Sequence, residues 1–378
     1  MQSHPLQLSL SEIIKERICN KGPVSFHDFM EMALYYPGLG YYTSAANKIG
    51  ENGDYYTSPY LSNVFGQVIA KQLEEMWQLT GKKDFTIVEY GAGPGSLCVD
   101  ILTSLKNNKK FYKNLKYCII EKSEAMRLIE QKVIDKERLA EKISWHNSIE
   151  ETSAFTGCIL ANEVIDNFSV HKVVMKEKEL MEVFVDYNND FKELLRPASD
   201  DIKNYFKNLN VELPEHYCTE VNLQAVDWIK NVSASLNKGF VLTIDYGFPS
   251  SELYHPYRKQ GTIVCYHKQS VNDLPYINIG QQDITAHVNF SALNLWGVKS
   301  GLTNCGFTDQ SRFLLGLGLT QYLRKLEETE KGSFEIRKKI MLLHTLLMSM
   351  GKKFKVLIQQ KGLQKPVLSG LKFCQPLL

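Results

Sequence analysis

The sequence predicts a doubly wound α/β fold, a parallel sheet with helices on both faces. It adds an N-terminal helical extension and inserted hairpin and helical elements. Three observations lead there. A β-branched apolar run, Thr86-Ile87-Val88, passes through Glu89-Tyr90 into Gly91-Ala92-Gly93-Pro94-Gly95 and an apolar stretch over 97–105. That order reads as strand, tight turn, helix. From Asp84 onward strand-like and helical runs alternate, which implies parallel strands joined by crossover helices. Finally, 353–360 reads as a strand able to pair with 307–313 as an antiparallel hairpin at the sheet edge.

In chain order, apolar residues at 10, 13, 14 and 18 make a helix stripe over 8–19, with Ser9 or Ser11 as cap and Glu12 beside it. Gly22-Pro23 stops that helix, and Ser25 caps a second over 26–35. A turn dense in tyrosine comes next, Tyr36-Pro37-Gly38-Leu39-Gly40-Tyr41-Tyr42, then a polar, Gly-bearing loop over 49–59. The stretch 63–80 is an amphipathic helix ended by Gly81. Strand-like runs fall at 85–90, 116–121, 143–146, 158–162 and 240–245, with helices at 94–107, 123–132 and 220–236.

The alternation breaks after the fourth strand. There 170–176 and 181–187 read as a β-hairpin and 202–209 as a helix, so the region is an insertion. Residues 248–287, rich in Tyr, His, Pro and Gly, read as irregular, and a connection that long is usually functional. Helices are expected at 291–305, 313–325 and 336–350, and the tail after Gly362 carries no pattern. The domain reading is an extension over 1–82 and a core over 83–378, with insertions near 168–215 and 248–290.

Composition narrows the class. Hydrophobic residues make up 44% and charged ones 23%, so the chain can bury a large core without covalent staples. The formal net charge of +2 is not the footprint of a dedicated nucleic-acid binder. None of the eight cysteines forms a C-x-x-C pair, which suits small buried residues in a reducing compartment. Neither a signal-peptide pattern at Met1–Leu10 nor an Arg-rich presequence is visible, and the apolar run 340–350 is interrupted by His344. A cytoplasmic location without membrane insertion is expected.

The chemistry begins at the Gly-rich turn. A dinucleotide site wants G-x-G-x-x-G, but Gly91, Gly93 and Gly95 alternate and Ser96 stands at the third glycine position. Glu89 would end the strand facing the ligand. S-adenosylmethionine carries an ammonium and a sulfonium and has no pyrophosphate to repel that carboxylate. The stretch resembles motif I of the class I S-adenosylmethionine-dependent methyltransferases. Glu121, at the end of the second strand, is placed to accept hydrogen bonds from both ribose hydroxyls, whichever adenosyl ligand is bound. After the third strand, Asn147 or Ser148 can read the adenine amine while Ile149 packs its ring.

Asn162, Glu163 and Asp166 end the fourth strand, where open α/β sheets bind ligands. Two carboxylates there can hold a cationic acceptor such as a guanidinium, although acidic residues also favour first helical turns. Asp245-Tyr246-Gly247 reaches the same rim. Glu220 and His287 stand behind the clamp as candidate catalytic groups, His287 either as a general base or as a structural histidine. Nothing has metal-ligand spacing, so no metal is expected.

Several blocks together carry a more specific resemblance: Tyr36–Tyr42, Gly53-Asp54-Tyr55-Tyr56-Thr57-Ser58-Pro59, Phe65-Gly66, Glu89–Gly95 and Ile120-Glu121-Lys122-Ser123. They continue with Ala161-Asn162-Glu163-Val164-Ile165-Asp166-Asn167, Ile244–Gly247, Asp283-Ile284-Thr285-Ala286-His287-Val288-Asn289-Phe290 and Phe354-Lys355-Val356-Leu357. Across roughly 25–360 the chain resembles the MidA-type family of S-adenosylmethionine-dependent methyltransferases, whose mitochondrial members are assembly factors for respiratory complex I. The resemblance implies a class I methyltransferase (Rossmann-like) sheet and S-adenosyl-L-methionine as cofactor. It also implies a covering loop over 53–59 that brings Asp54 and Thr57 to the cofactor. The reaction it implies is arginine N-methylation of a protein, in the mitochondrial members of the 49-kDa-type complex I subunit. The chain departs from the family at Val164-Ile165, where aromatic or bulky residues are usual, at Thr219–Asn222 and at Tyr90, and these bear on the acceptor.

Two other functions compete: an S-adenosylmethionine-binding assembly chaperone whose methylation is incidental, and an NAD-dependent oxidoreductase. Ser96 and Glu89 weigh against the second. Oligomeric state is left open, a homodimer being one arrangement.

Overall fold

A central strand buried on both faces must be apolar nearly throughout, and residues 155–162 meet that demand over 157–161, with polar residues only at Thr156 and Asn162. The computed structural model describes residues 8–44, 63–329 and 334–377. In chain order its strands are β1 (Val24–Ser25), β2 (Phe85–Tyr90), β3 (Leu115–Ile120), β4 (Ile143–His146), β5 (Phe155–Asn162), β6 (His171–Lys176), β7 (Glu179–Asn188) and β8 (Asp190–Pro197). They continue with β9 (Cys218–Val221), β10 (Leu236–Phe248), β11 (Val264–His267), β12 (Ser270–Asn272), β13 (Asp283–Thr285), β14 (Val288–Asn289), β15 (Thr303–Asp309) and β16 (Phe354–Lys361).

The main sheet has eight strands in the order β15-β16-β10-β5-β2-β3-β4, with β14 paired to β10. From β10 to β4 all neighbours are parallel. β16 runs antiparallel to both β10 and β15. Alternate side chains fill two layers. Ile87, Leu160, Leu242 and Val356 pack with helices Asn63–Leu79 and Ser96–Leu105. Val88, Ile159, Val241 and Leu357 pack with helices Leu223–Ser235 and Phe290–Lys299. This is the fold class expected from the sequence.

The insertion after β5 forms a second, five-stranded sheet, β1-β7-β6-β9 with β8 on β7. The N-terminal helices Leu10–Lys21 and Phe26–Tyr35 share a core with it through Phe29, Met30, Val183 and Val185. Ser9 and Glu12 form a reciprocal capping box, so Ser9 rather than Ser11 is the cap, and Ser25 caps the second helix.

Elsewhere the chain differs from the sequence expectation. The helix from 290 ends at Lys299, and Gly301, at φ +95°, turns the chain into β15. Asp309, not Phe313, closes that strand by capping helix Gln310–Gly316, and Gly318 at φ +88° separates it from helix Leu319–Thr329. The last predicted helix is Phe334–His344 continued by a π-helical turn, Thr345–Ser349. The stretch read as irregular contains the sheet β12-β11-β13, and β8 was not legible. The tail is anchored as well: the amides of Ser369 and Gly370 donate to Glu75 and Gln72 on helix Asn63–Leu79. No helix among the described residues is long and apolar enough to cross a membrane.

Candidate active site

The strand order reverses between β2 and β5, and at such a switch point the connections diverge to leave a crevice at the strands' C-terminal ends. The Gly-rich turn enters it from β2. Gly91, Gly93 and Gly95 have φ of +58°, +56° and +83°, a left-handed run that residues with a β-carbon rarely adopt. A β-carbon on Gly91 would lie 3.1 Å from Cγ2 of Val164, so the turn leans directly on the segment leaving β5. Gly95 starts helix Ser96–Leu105 without a side-chain cap, which leaves first-turn amides facing the crevice.

Glu89 does not reach that crevice openly. It is 2% exposed and accepts the Tyr117 hydroxyl at 2.7 Å. Burial pushes its carboxyl up to about 7, with the Tyr117 bond opposing. Glu121 directly follows β3, at the crevice. Its Oε1 accepts the Ser123 amide at 2.6 Å, Arg127 Nε donates to its carbonyl at 2.8 Å, and burial raises its carboxyl. Asn147 is engaged elsewhere: it donates to Glu151 through its amide and side chain and accepts Arg127 Nη2 at 3.0 Å. It shapes the loop that delivers buried Ile149, with half-buried Ser148 between them. Asp54 and Thr57 lie outside the described residues.

At the end of β5 the predicted rim residues do come together. Glu163 has φ +56°, a strained setting for a residue with a side chain, and its amide donates to the Ile244 carbonyl. Asp245 ties the segment leaving β5 to the end of β10: its Oδ2 accepts the amides of Val164, Ile165 and Asp166, and its Oδ1 accepts that of Tyr246. Burial pushes the Asp245 carboxyl up to about 6, with these amides opposing. Asp166 is 4% exposed, and burial, followed by the charges of Asp245, Asp283 and Glu163, raises its carboxyl far above the usual range. Asn162 Oδ1 and Asp166 Oδ1 are buried with no hydrogen-bond partner among the described residues.

Tyrosines complete the wall. Tyr42 donates to Asp283 at 2.9 Å and stacks on Tyr35, which donates to the Asn167 carbonyl at 2.9 Å. Burial, and after it the field of Glu163 and Asp166, raise the hydroxyls of Tyr246 and Tyr266. Of these, only Tyr246 is placed at the rim by the sequence; for Tyr42 and Tyr266 the signals were the Tyr36–Tyr42 turn and the 248–287 stretch, which deliver aromatic groups here.

One candidate needs correction, Glu220. Both oxygens of Glu220 accept the Thr262 amide at 3.0 Å, and Oε2 accepts the Thr262 hydroxyl at 2.9 Å. A buried carboxylate so occupied supports the Gly261–Thr262 turn and is not part of an acceptor clamp. Thr262 Oγ1 in turn accepts the His287 amide at 3.0 Å. His287 lies beside Tyr246 and Phe248, and burial, then Arg258 and Lys353, lower its imidazole to about 4. The ring is neutral at pH 7, with Nδ1 buried and unpartnered among the described residues.

The donor set fits an adenosyl ligand with a cationic end. Glu121 suits ribose hydroxyls, and the unpartnered acceptor Asn162 Oδ1 suits an ammonium. Residues 68–308, more than half of the chain, match the family described as "Putative S-adenosyl-L-methionine-dependent methyltransferase". A Burkholderia thailandensis protein crystallised with S-adenosyl-homocysteine superposes with TM-score 0.89 at 30% identity, covering 97% of this chain and 95% of that one. The human protein arginine methyltransferase NDUFAF7, mitochondrial, is 25% identical over 89% of this chain and 80% of its own length. Its Bos taurus counterpart is 28% identical over 90% and 81%. These likenesses remove the oxidoreductase reading. The chain belongs to the MidA-type family of S-adenosylmethionine-dependent methyltransferases.

Proposed function

We propose that this methyltransferase acts on an arginine side chain of a protein, with Glu163 and Asp166 as the acceptor clamp. The observation that carries this is the crowding of Glu163, Asp166, Asp245 and Asp283 at one rim, where burial, and then the neighbouring carboxylates, raise the Asp166 carboxyl and favour its protonated form. A guanidinium is the complement of such a site: planar, permanently charged and able to pair with carboxylates bidentately. S-adenosylmethionine supplies the electrophilic methyl group when bound. Glu121 and Asn162 would hold it, and the Gly-rich turn would admit it. Glu163 and Asp166 orient one guanidinium nitrogen, Asp166 gives up its proton as the cation enters, and the proton leaving the methylated nitrogen passes to a rim carboxylate. The relatives named protein arginine methyltransferase support the acceptor class. A complex I-type subunit as substrate and a cytoplasmic location belong to the same proposal.

A second reading, in which gripping the partner is the main task, is favoured by an open groove of about 770 Å³. It is lined by Met175, Leu180, Phe206 and Leu213 and edged by Glu177, Glu212 and Glu215. Its apolar floor and mixed edge, where Lys178 stands among the three glutamates, offer contact surface for a protein partner. Mass spectrometry of methylarginine in cells with and without the gene, and with Glu163→Gln, tests both. Loss of a specific methylarginine in the Glu163→Gln cells supports the enzyme reading. Intact partner assembly in the Glu163→Gln cells, failed assembly without the gene and no methylarginine lost in either strain would overturn it in favour of the second reading.

A further inference from the structure

Glu130 has no role in the reading above, yet it sits directly under the cofactor turn. It lies on helix Glu124–Lys136 and is 0% exposed. A β-carbon on Gly95 would be 3.5 Å from the Glu130 Cα and 3.7 Å from its Cβ, so helix and turn are in van der Waals contact at this residue. Oε2 accepts the indole N–H of Trp145, on β4, at 2.7 Å, while Oε1 is buried with no partner among the described residues. An ionised carboxylate with one dry, unpaired oxygen is costly, whereas the neutral acid leaves far less unsatisfied charge.

The surroundings reinforce this. Facing Glu130 are Glu89 from β2, Glu121 from the end of β3, Cys98 from helix Ser96–Leu105 and Arg127 from its own helix. Two of the four are carboxylates, and Glu121 is the one assigned to the ribose. Burial, then Glu121, push the Glu130 carboxyl up to about 8, with the Trp145 bond, Glu89 and Arg127 contributing less. Glu121 and Glu130 therefore compete for one proton. Ribose hydroxyls bind best to an ionised Glu121, and that state is cheapest when Glu130 holds the proton.

We propose that Glu130 is a proton-linked positioning residue for the cofactor: as the neutral acid it seats the Gly-rich turn and keeps Glu121 ionised, and its ionisation weakens binding. This rests on the ribose assignment of Glu121. The consequence is a proton taken up on binding at alkaline pH, because cofactor engagement restores the neutral acid.

The test is calorimetry of S-adenosylhomocysteine binding to the full chain at pH 8.5, in buffers of different ionisation enthalpy. Wild type should take up about half a proton or more, with affinity falling about threefold or more from pH 7 to 8.5. Glu130→Gln should abolish the uptake and hold affinity constant across that range. Trp145→Phe, which removes a bond favouring the ionised form, should shift the uptake to higher pH and serves if Glu130→Gln does not fold. No uptake in wild type, equal uptake in Glu130→Gln, or an unshifted profile in Trp145→Phe overturns the proposal. Glu121→Ala separates the two assignments: unchanged affinity there removes the ribose role, whatever the proton count shows.

Discussion

Asp245 Oδ2 accepts the Ile165 amide at 2.8 Å and shares itself with the amides on either side, Val164 and Asp166, at 3.2 and 3.3 Å. One oxygen of β10 thus ties down the turn that begins at Glu163, whose left-handed backbone costs about 1 kcal/mol or more. The carboxylate holds the clamp in place without belonging to it.

Asp245→Ala strips that acceptor from three buried amides. A loss of about 3 kcal/mol is expected, read as a lowered urea midpoint with unchanged slope. Asp245→Asn keeps one acceptor and should cost less. An alanine variant as stable as wild type would show that the turn stands without Asp245.

Glu89 sets a pH dependence. Its folded value, about 7, lies above the ordinary 4.5 because of burial. The stability it contributes is therefore full below 4.5 and lost as pH rises through 7. Between pH 6 and 8.5 the melting temperature should fall, and Glu89→Gln should reduce the overall fall by about a third or less, Glu130 and Asp166 supplying most of the rest. An undiminished slope in the glutamine variant would move the effect to another group.

Gly66 is demanded by packing. A β-carbon there would lie 2.4 Å from Cβ of Asp100, where helix Asn63–Leu79 crosses helix Ser96–Leu105. Gly66→Ala must part the two helices behind the cofactor turn, at a cost of about 1–3 kcal/mol. Hydrogen exchange should quicken in both helices; protection equal to wild type would mean that the crossing absorbs a methyl group.

Glu220→Ala should destabilise by about 2 kcal/mol through its lost bonds to Thr262, while S-adenosylhomocysteine affinity stays within about twofold. A large loss of affinity with normal stability would return Glu220 to the site.

Much of this was legible in the sequence. Apolar alternation and turn glycines reveal strands and their ends, because buried strands and left-handed turns restrict residue types severely. The family blocks at Glu89–Gly95 and 161–167 meet at one rim of the sheet. What stayed hidden depends on contacts distant in sequence. Glu220 and Asp166 are both buried acidic residues. Only the fold shows that one is saturated by Thr262 and the other left with an unpartnered oxygen. Boundaries slipped at Gly301 and Gly318 because a single left-handed residue ends a helix without interrupting its apolar pattern.

β16 lies between β10 and β15 and pairs with eight consecutive residues of β10. During synthesis the ribosome releases the parallel strands first, and the 13-residue β10 must wait with one edge bare until residue 361 has emerged. Such an edge invites pairing with other chains. The last interior strand acts as a latch on the nascent domain, and a chain interrupted anywhere before Phe354 would leave the translation machinery as a substrate for chaperones and proteases.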